Sequence, residues 1–184
     1  MSSDLLYNHL IDNAIPIKVS AHIQFIGWMS DVSFLNISGT RGNSCRMEAF
    51  KISIDHIASG INTTDLRLEY NAMVETEESA AVNINFDHRL HDNPGIFEPT
   101  EFVPEGTICG TENKNRRIMD VCIRLKGLRA REYKLMYRSH MQGIGDTEWA
   151  FAPYESGTSS YQNASSNRRL ECLRVFLYPI YVPG

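Results

Sequence analysis

A segment that occurs twice in almost the same form constrains the fold more than any other feature of this sequence. VSAHIQFIGWMSDVSFLNISGT at residues 19–40 aligns without a gap with YRSHMQGIGDTEWAFAPYESGT at residues 137–158. Both segments contain the pattern His-x-Gln-x-Ile-Gly, and both end on Ser-Gly-Thr. An internal repeat of this kind indicates a domain built from one supersecondary unit that is used several times.

The residues that follow each Gly-Thr are also shared. RMEAFKISI at residues 46–54 corresponds to RLECLRVFL at residues 169–177. A more degenerate occurrence lies between them, with Cys-Gly-Thr at residues 109–111 and RIMDVCIRL at residues 117–125. Its opening segment is LEYNAMVE at residues 68–75. The sequence therefore predicts three units.

We expect the 184 residues to form a single domain, because a chain of this length buries enough apolar surface to fold without a metal or a disulfide. The predicted units span about residues 17–60, 61–128 and 129–180. An insertion at about residues 81–99 interrupts the second unit and is rich in residues that favour turns.

Each unit opens and closes with a segment in which every second residue is apolar. Val19, Ala21 and Ile23 show this pattern at the start of the first unit, and residues 50–54 show it at the end. A period of two is typical of half-buried strands. Met47 has the opposite parity, which predicts a β-bulge or a sheet corner before the closing strand. The Gly-Thr dipeptide is expected to form a turn that needs permissive backbone angles.

These patterns predict an all-β fold in which each unit has two strong strands and one or two weaker ones. Units that cannot bury their apolar faces alone are expected to pack around a shared axis. Two architectures satisfy this at the present size, a pseudo-threefold β-prism of three repeats and a β-trefoil. We favour the β-prism, because long strands of period two indicate flat sheets.

Composition and charge exclude several classes of protein. Eighteen Lys and Arg against 22 Asp and Glu give a net charge of −4, without the basic excess of a nucleic-acid-binding protein. No apolar run approaches the ~20 residues of a membrane span. No secretory signal is visible at residues 1–13, which leaves the localisation uncertain. The four cysteines have no CxxC spacing, so a zinc site is not expected.

The first unit, with HIQFIGW, SGT and RMEAFKISI, resembles the clostridial hydrophobic W repeat family. Trp28 matches the first tryptophan of that family's pattern and Trp149 the second, whereas Asp146 and Asp31 occupy the remaining two positions. The middle unit lacks both tryptophans. The resemblance implies a tandem repeat of exported bacterial or phage proteins that binds cell-surface carbohydrate or protein, and hence a secreted or surface-acting protein.

Two groups of residues invite a chemical interpretation. His22 and His140 occupy equivalent positions, but the middle unit has Met73 there, so we expect structural histidines. Residues 87–92, DHRLHD, have the ingredients of a metal site in a spacing that fits no strong template, so a solvated loop is preferred. No nucleophile motif and no phosphate-binding glycine loop is present. The sequence therefore predicts no enzyme, no catalytic residue, no metal and no cofactor.

The remaining candidates are aromatic and acidic residues in predicted loops. An aromatic ring can stack on the C–H face of a sugar, and a carboxylate can accept hydrogen bonds from vicinal hydroxyls. The two tryptophans could instead fill the hydrophobic ends of the sheets, and this alternative stays open. The candidate ligand-binding residues are Trp28, Asp31, Asp146, Trp149, Tyr154 and Tyr161.

These observations favour a non-catalytic, lectin-like module that recognises glycans or glycoproteins on cell surfaces. The alternative is a protein-interaction or assembly module, such as a subunit of a toxin complex or an appendage. The N-terminal arm and the apolar residues 178–182 suggest this alternative and a possible homo-oligomer. The identity of the sugar, the number of working sites and the oligomeric state are left open.

Overall fold

The computed structural model describes residues 12–33, 37–79, 97–153 and 168–180. Most regular structure in these ranges is extended, which confirms the all-β class. Short helical turns are α1 (His56–Ser59) and the 3-10 turn η1 (Ala130–Glu132). The strands are β1 (Ile17–Ile23), β2 (Gly27–Trp28), β3 (Val32–Ser33), β4 (Ser38–Gly39), β5 (Met47–Ile54), β6 (Arg67–Glu75), β7 (Phe97–Pro99), β8 (Val103–Pro104), β9 (Cys109–Gly110), β10 (Ile118–Lys126), β11 (Tyr133–Met141), β12 (Gly145–Asp146), β13 (Ala150–Phe151) and β14 (Leu170–Pro179).

The described strands form three antiparallel sheets, and each sheet is built on one pair of long strands. The first sheet contains β1, β2, β3, β5 and β9; the second contains β6, β7, β8 and β10; the third contains β4, β11, β12, β13 and β14. The long pairs have corresponding registers, with Ile17 opposite Ile54, Leu68 opposite Leu125 and Leu135 opposite Leu177. The two strong strands that the alternation predicts in each unit are therefore confirmed.

Each long pair also contains a β-bulge at the corresponding place. In the first sheet the register shifts between His22 and Ile23, which leaves Glu48 unpaired in the ladder. Met119 and Glu171 are skipped in the same way in the second and third sheets. The change of parity before the closing strand therefore marks a bulge, as the sequence predicts.

The inner faces of the three sheets enclose one hydrophobic core. Val19, Ala21 and Ile23 are buried in it, as expected from their alternation. Tyr70 of the second sheet reaches into the first, where its hydroxyl accepts a hydrogen bond from the Ile52 N–H at 3.0 Å and donates one to the Thr107 carbonyl at 2.6 Å. Burial raises the pKa of the Tyr70 hydroxyl far above its ordinary value. This hydroxyl therefore joins two sheets as a neutral group.

Two short strands pair with the sheet of a neighbouring unit. β4 follows β3 of the first sheet in the chain but pairs with β14 of the third sheet, and β9 follows β8 of the second sheet but pairs with β5 of the first. The Thr40 N–H donates to the Glu171 carbonyl at 3.0 Å, and the Thr111 N–H donates to the Glu48 carbonyl at 2.8 Å. Both acceptors belong to bulge residues, so each bulge presents a carbonyl to the neighbouring Gly-Thr.

The glycine of Gly-Thr is required by both backbone conformation and space. Gly39 and Gly110 have φ angles of +116° and +104°, in the region that side chains disfavour. A Cβ on Gly39 would lie 2.3 Å from the Glu171 carbonyl oxygen, and one on Gly110 would lie 2.4 Å from that of Glu48. The expected turn at Gly-Thr is therefore wrong in one respect: the glycine ends a short strand that pairs with a neighbouring sheet, and the threonine follows it.

Three further expectations have a structural outcome. The first two units contain three short strands each, more than the one or two expected, whereas the described part of the third contains two. The last three residues of the predicted insertion form β7, which pairs with β6, whereas residues 81–96 lie outside the described residues. Of the apolar residues 178–182, the first two belong to β14, where Tyr178 lies opposite Lys134 and Pro179 lies opposite Tyr133.

Replacing Gly39 or Gly110 with alanine should destabilise the fold, because the new Cβ would collide with the backbone of the neighbouring sheet. We expect each change to lower the free energy of unfolding by roughly 2–4 kcal/mol. Gly42→Ala is the control, since Gly42 has a φ of +68° with nothing within 4 Å of an added Cβ. It should cost only about 1 kcal/mol. Urea denaturation measures the three variants, and equal losses would refute the steric argument.

Candidate functional site

The candidate residues within the described ranges lie on the outer faces of two different sheets. Trp28 on β2 lies opposite His22 in the first sheet, and Asp146 on β12 lies opposite His140 in the third. The registers of the two sheets correspond, so Trp28 and Asp146 occupy equivalent positions, each on its own sheet. The structure therefore does not bring the candidates together into one site.

Two further candidates occupy the next equivalent positions, and two cannot be placed. Asp31 precedes β3 in the first sheet and Trp149 precedes β13 in the third. Asp31 is exposed and accepts a hydrogen bond from the Ser20 hydroxyl. Tyr154 and Tyr161 lie outside the described residues.

Trp28 is a partly exposed aromatic side chain held by polar neighbours. It is 36% exposed, and its Nε1–H donates to Glu112 Oε1 at 2.5 Å. The Lys51 ammonium lies 5.5 Å from the ring centroid, and His22 packs edge-on with ring centroids 5.6 Å apart. Glu112 follows β9, so the second unit in the chain supplies a group that fixes the indole of the first. The result is a tryptophan of defined orientation flanked by a carboxylate and an ammonium group.

The turn next to Trp28 exposes two apolar side chains. Phe25 is 86% exposed and Ile26 is 53% exposed in the turn between β1 and β2. Phe25 has a φ of +65°, a conformation that is uncommon for a bulky residue, whereas Gly143 takes the equivalent place in the third sheet with a φ of +70°. Backbone strain of this kind is concentrated at functional sites. The turn and Trp28 together are the part of the first sheet best suited to contact a ligand.

Asp146 is surrounded by cationic side chains. Arg41 Nη2 lies 2.8 and 2.7 Å from its two carboxylate oxygens, Arg138 Nη2 lies 3.0 Å away, and His140 Nδ1 lies 2.7 Å away. Partial burial opposes ionisation, but the His140 hydrogen bond and the charges of both arginines together lower the pKa of Asp146. Its oxygens are thus already engaged by protein cations, which argues against a primary role in accepting sugar hydroxyls.

Trp149 is partly buried between an arginine and another ring. The Arg138 guanidinium lies 4.8 Å from the indole centroid, and Phe176 packs edge-on with ring centroids 5.4 Å apart. Arg138 therefore contacts Asp146 through its charge and Trp149 through a cation–π interaction. Trp149 offers less free ring surface than Trp28.

Phe102 is a residue that the sequence reasoning missed. It precedes β8 as Trp149 precedes β13, and the Arg124 guanidinium lies 3.8 Å from its ring centroid. Thr100 lies two residues before Phe102, and Thr147 lies two residues before Trp149. The hydroxyl of each threonine accepts a hydrogen bond from a backbone N–H of the adjacent long strand. The shared triplets Thr-Glu-Phe and Thr-Glu-Trp are the sequence signal that could have identified it.

His22 has a structural setting, as the sequence predicts. It is buried, and its Nδ1 lies 3.6 Å from Oε2 of the buried Glu48. Arg46 Nε donates to Glu48 Oε1 at 3.1 Å. Glu48 is therefore held between two basic side chains next to the bulge and is not available as a free acid or base.

The other two sheets contain a similar arginine–glutamate pair. Arg169 Nε lies 3.5 Å from Glu171 Oε1 in the third sheet. In the second sheet Met119 occupies the bulge, and Arg117 instead pairs with Glu75 of the opposite strand at 3.3 Å. Within the described residues, no group of three or more His, Cys, Asp or Glu is arranged to hold a metal ion.

Comparison with known proteins gives one match. Residues 22–55 match the protein-family model described as Clostridial hydrophobic W, a stretch that includes Trp28, the first Gly-Thr and β5. No curated protein and no solved structure matches the chain. None of the helices in the described part of the chain has the length and apolar character needed to cross a bilayer.

Asp146→Asn should destabilise the protein in a pH-dependent way, because it removes the anion from a cluster of cations. The pKa of Asp146 is lowered in the folded state, so its stabilising contribution is present above the ordinary aspartate pKa of about 3.9 and is lost as the pH falls through the folded value. We expect a loss of about 1–3 kcal/mol at neutral pH.

The difference from wild type should shrink in urea denaturation below about pH 3.9. Asp31→Asn is the matched control, because Asp31 accepts its hydrogen bond from the neutral Ser20 hydroxyl; the charge of Lys18 should give it only a smaller pH dependence. A difference for Asp146→Asn that is the same at neutral and acid pH would contradict the electrostatic assignment.

Proposed function

We propose that the protein is a non-catalytic carbohydrate-binding module that recognises glycans or glycoproteins on cell surfaces. The observation that carries this proposal is the setting of Trp28, whose partly exposed ring is fixed by Glu112 and flanked by Lys51. Sugar sites combine an apolar ring surface with a few polar groups that fix orientation. Phe25 in the adjacent turn adds a second exposed ring.

The family match supports the same interpretation. Residues 22–55 include Trp28 and Lys51, so the matched stretch contains most of the proposed site. The resemblance to the hydrophobic W repeat implies binding to cell-surface carbohydrate or protein, and a secreted or surface-acting protein.

We propose binding without turnover, and the settings of two carboxylates, Asp146 and Glu48, support this. Glycoside hydrolysis needs two carboxyl groups that face the substrate. Asp146 contacts two arginines and a histidine, and Glu48 is held by Arg46 and His22. Neither acid is free to donate or accept a proton at a glycosidic bond.

We further infer that the chain consists of three degenerate copies of one unit, at about residues 17–60, 61–128 and 129–180, arranged as a pseudo-threefold β-prism. Corresponding registers, corresponding bulges and the same transfer of β4 and β9 to a neighbouring sheet support this arrangement. Three sheets around one core favour the prism over the trefoil. Each outer face would then be a separate potential site, and several weak sites on one ligand would add avidity.

Binding to an immobilised glycan array tests the proposal. We expect the wild-type protein to bind a defined subset of glycans without added metal or cofactor. Trp28→Ala should weaken this binding at least about tenfold, because it removes the central ring, whereas Trp28→Phe should retain part of it. Leu128→Ala is the control, since Leu128 is an 87% exposed apolar residue outside the candidate positions.

Circular dichroism and thermal unfolding should show that the tryptophan variants are folded. An array without signal for folded wild-type protein would refute glycan binding. A Trp28→Ala protein that binds like the wild type would refute the site.

The assembly alternative has one observation in its favour, an open groove of about 780 Å³ at the end of the third sheet. Ile15, Ile61, Pro179 and Ile180 provide its apolar lining. If a second copy of the chain binds there, size-exclusion chromatography with light scattering should show an oligomer that Ile180→Asp dissociates. Ile57→Asp is the control, because Ile57 is 96% exposed and does not line the groove. A monomeric wild type would refute this alternative.

A further inference from the structure

The outer face of the third sheet places two arginines directly side by side. Arg138 on β11 lies opposite Arg174 on β14 in the ladder. Their neighbours Tyr137 and Val175 are in the core, so both arginine side chains are on the outer face. Like charges that are directly opposite in an antiparallel pair destabilise it. The pair therefore needs an explanation that the sheet alone does not provide.

The fold does not require arginine at these positions. The corresponding residues are Ser20 opposite Lys51 in the first sheet and Asn71 opposite Cys122 in the second. One of those pairs has a single charge and the other has none. The arginine pair is thus a property of the third sheet only, which is what a binding surface would show.

Among the described residues, one carboxylate is shared by three basic side chains of this face. Arg41, Arg138 and His140 all contact the same carboxylate, that of Asp146. Among the described residues Arg174 makes no ion pair with a carboxylate, and its buried Nε has no hydrogen-bond partner. Arg174 is half-buried on this face, and no described carboxylate neutralises its guanidinium.

The register of β11 and β14 places Cys172 among these side chains. Burial raises the pKa of its thiol, against the opposing charges of Arg41 and Arg174. Cys172 is on β14 two residues before Arg174, opposite His140. We name Arg41, Arg138, His140 and Arg174 the basic cluster.

We propose that the basic cluster binds the carboxylate or sulfate group of an acidic saccharide, with Arg174 as the residue that meets the anion. This inference rests on the proposed function and specifies the class of glycan. A guanidinium matches a planar carboxylate or a sulfate through paired N–H donors. Phe151 on β13, exposed on the same sheet, and Trp149 next to Arg138 supply ring surface for the sugar, which favours a saccharide over an acidic peptide.

A glycan array that presents the same core sugars in neutral, carboxylated and sulfated forms tests the proposal. We expect wild-type protein to bind the acidic forms more strongly, and more weakly as salt is added. Arg174→Gln should weaken binding to the acidic forms by about ten- to a hundredfold and leave the neutral forms unchanged. Arg129→Gln is the matched control, since Arg129 is exposed and paired with Glu132 at 2.6 Å.

The outcomes separate this inference from the proposed function. Neutral glycan binding with no preference for acidic forms would overturn the inference and leave the proposed function intact. An array without any signal would refute the proposed function itself. Oligoglutamate of equal charge is the competitor that tests the saccharide assignment. If it displaces an acidic glycan at the same concentration, the basic cluster recognises charge alone and the assignment is overturned.

The stability of the variants distinguishes a binding role from a structural one. Because Arg174→Gln relieves repulsion from Arg138, its melting temperature at low salt should equal or exceed that of the wild type. A large decrease would show that Arg174 supports the fold and would overturn the proposal. Arg174→Lys keeps the charge but loses the paired donors, so it should retain the salt dependence and bind the acidic forms with intermediate affinity.

Discussion

The contact between Gly-Thr and the bulge of a neighbouring sheet is the interaction on which the rest of this structure depends. The bulge frees a carbonyl at Glu48 or Glu171, and the threonine N–H of the crossing segment satisfies it. The segment can approach because Gly39 and Gly110 have no Cβ. β9 and β4 also pair with the edges of β5 and β14, which would otherwise present unpaired backbone groups to solvent.

On this common frame the outer faces differ chemically. The residue opposite the outer-face histidine is Trp28 in the first sheet and Asp146 in the third. An exposed indole suits the apolar face of a sugar, whereas a carboxylate holds arginines in place. The inner faces share one pattern of apolar residues, so the differences that could specify a ligand are confined to the outside.

Local pattern predicted the long strands, their inward residues and the bulge, because alternation depends only on neighbouring residues. It could not predict the role of Gly39, whose close contact is with Glu171 in another sheet. Nor could it predict that Arg41 engages Asp146, since these residues are 105 positions apart. The candidate site was accordingly predicted as single residues without their partners. Phe102 was within reach of the sequence, because its triplet repeats that of Trp149.

The transfer of β4 and β9 has a consequence for the history of such a chain. In a fragment from β1 to β5 alone, β4 would lack its partner β14, and the edge of β5 would lack its partner β9. Its ladder could be completed only by a neighbour of the same kind. A single polypeptide that contains both segments keeps that neighbour permanently available, and each outer face can then diverge without weakening the contacts between sheets.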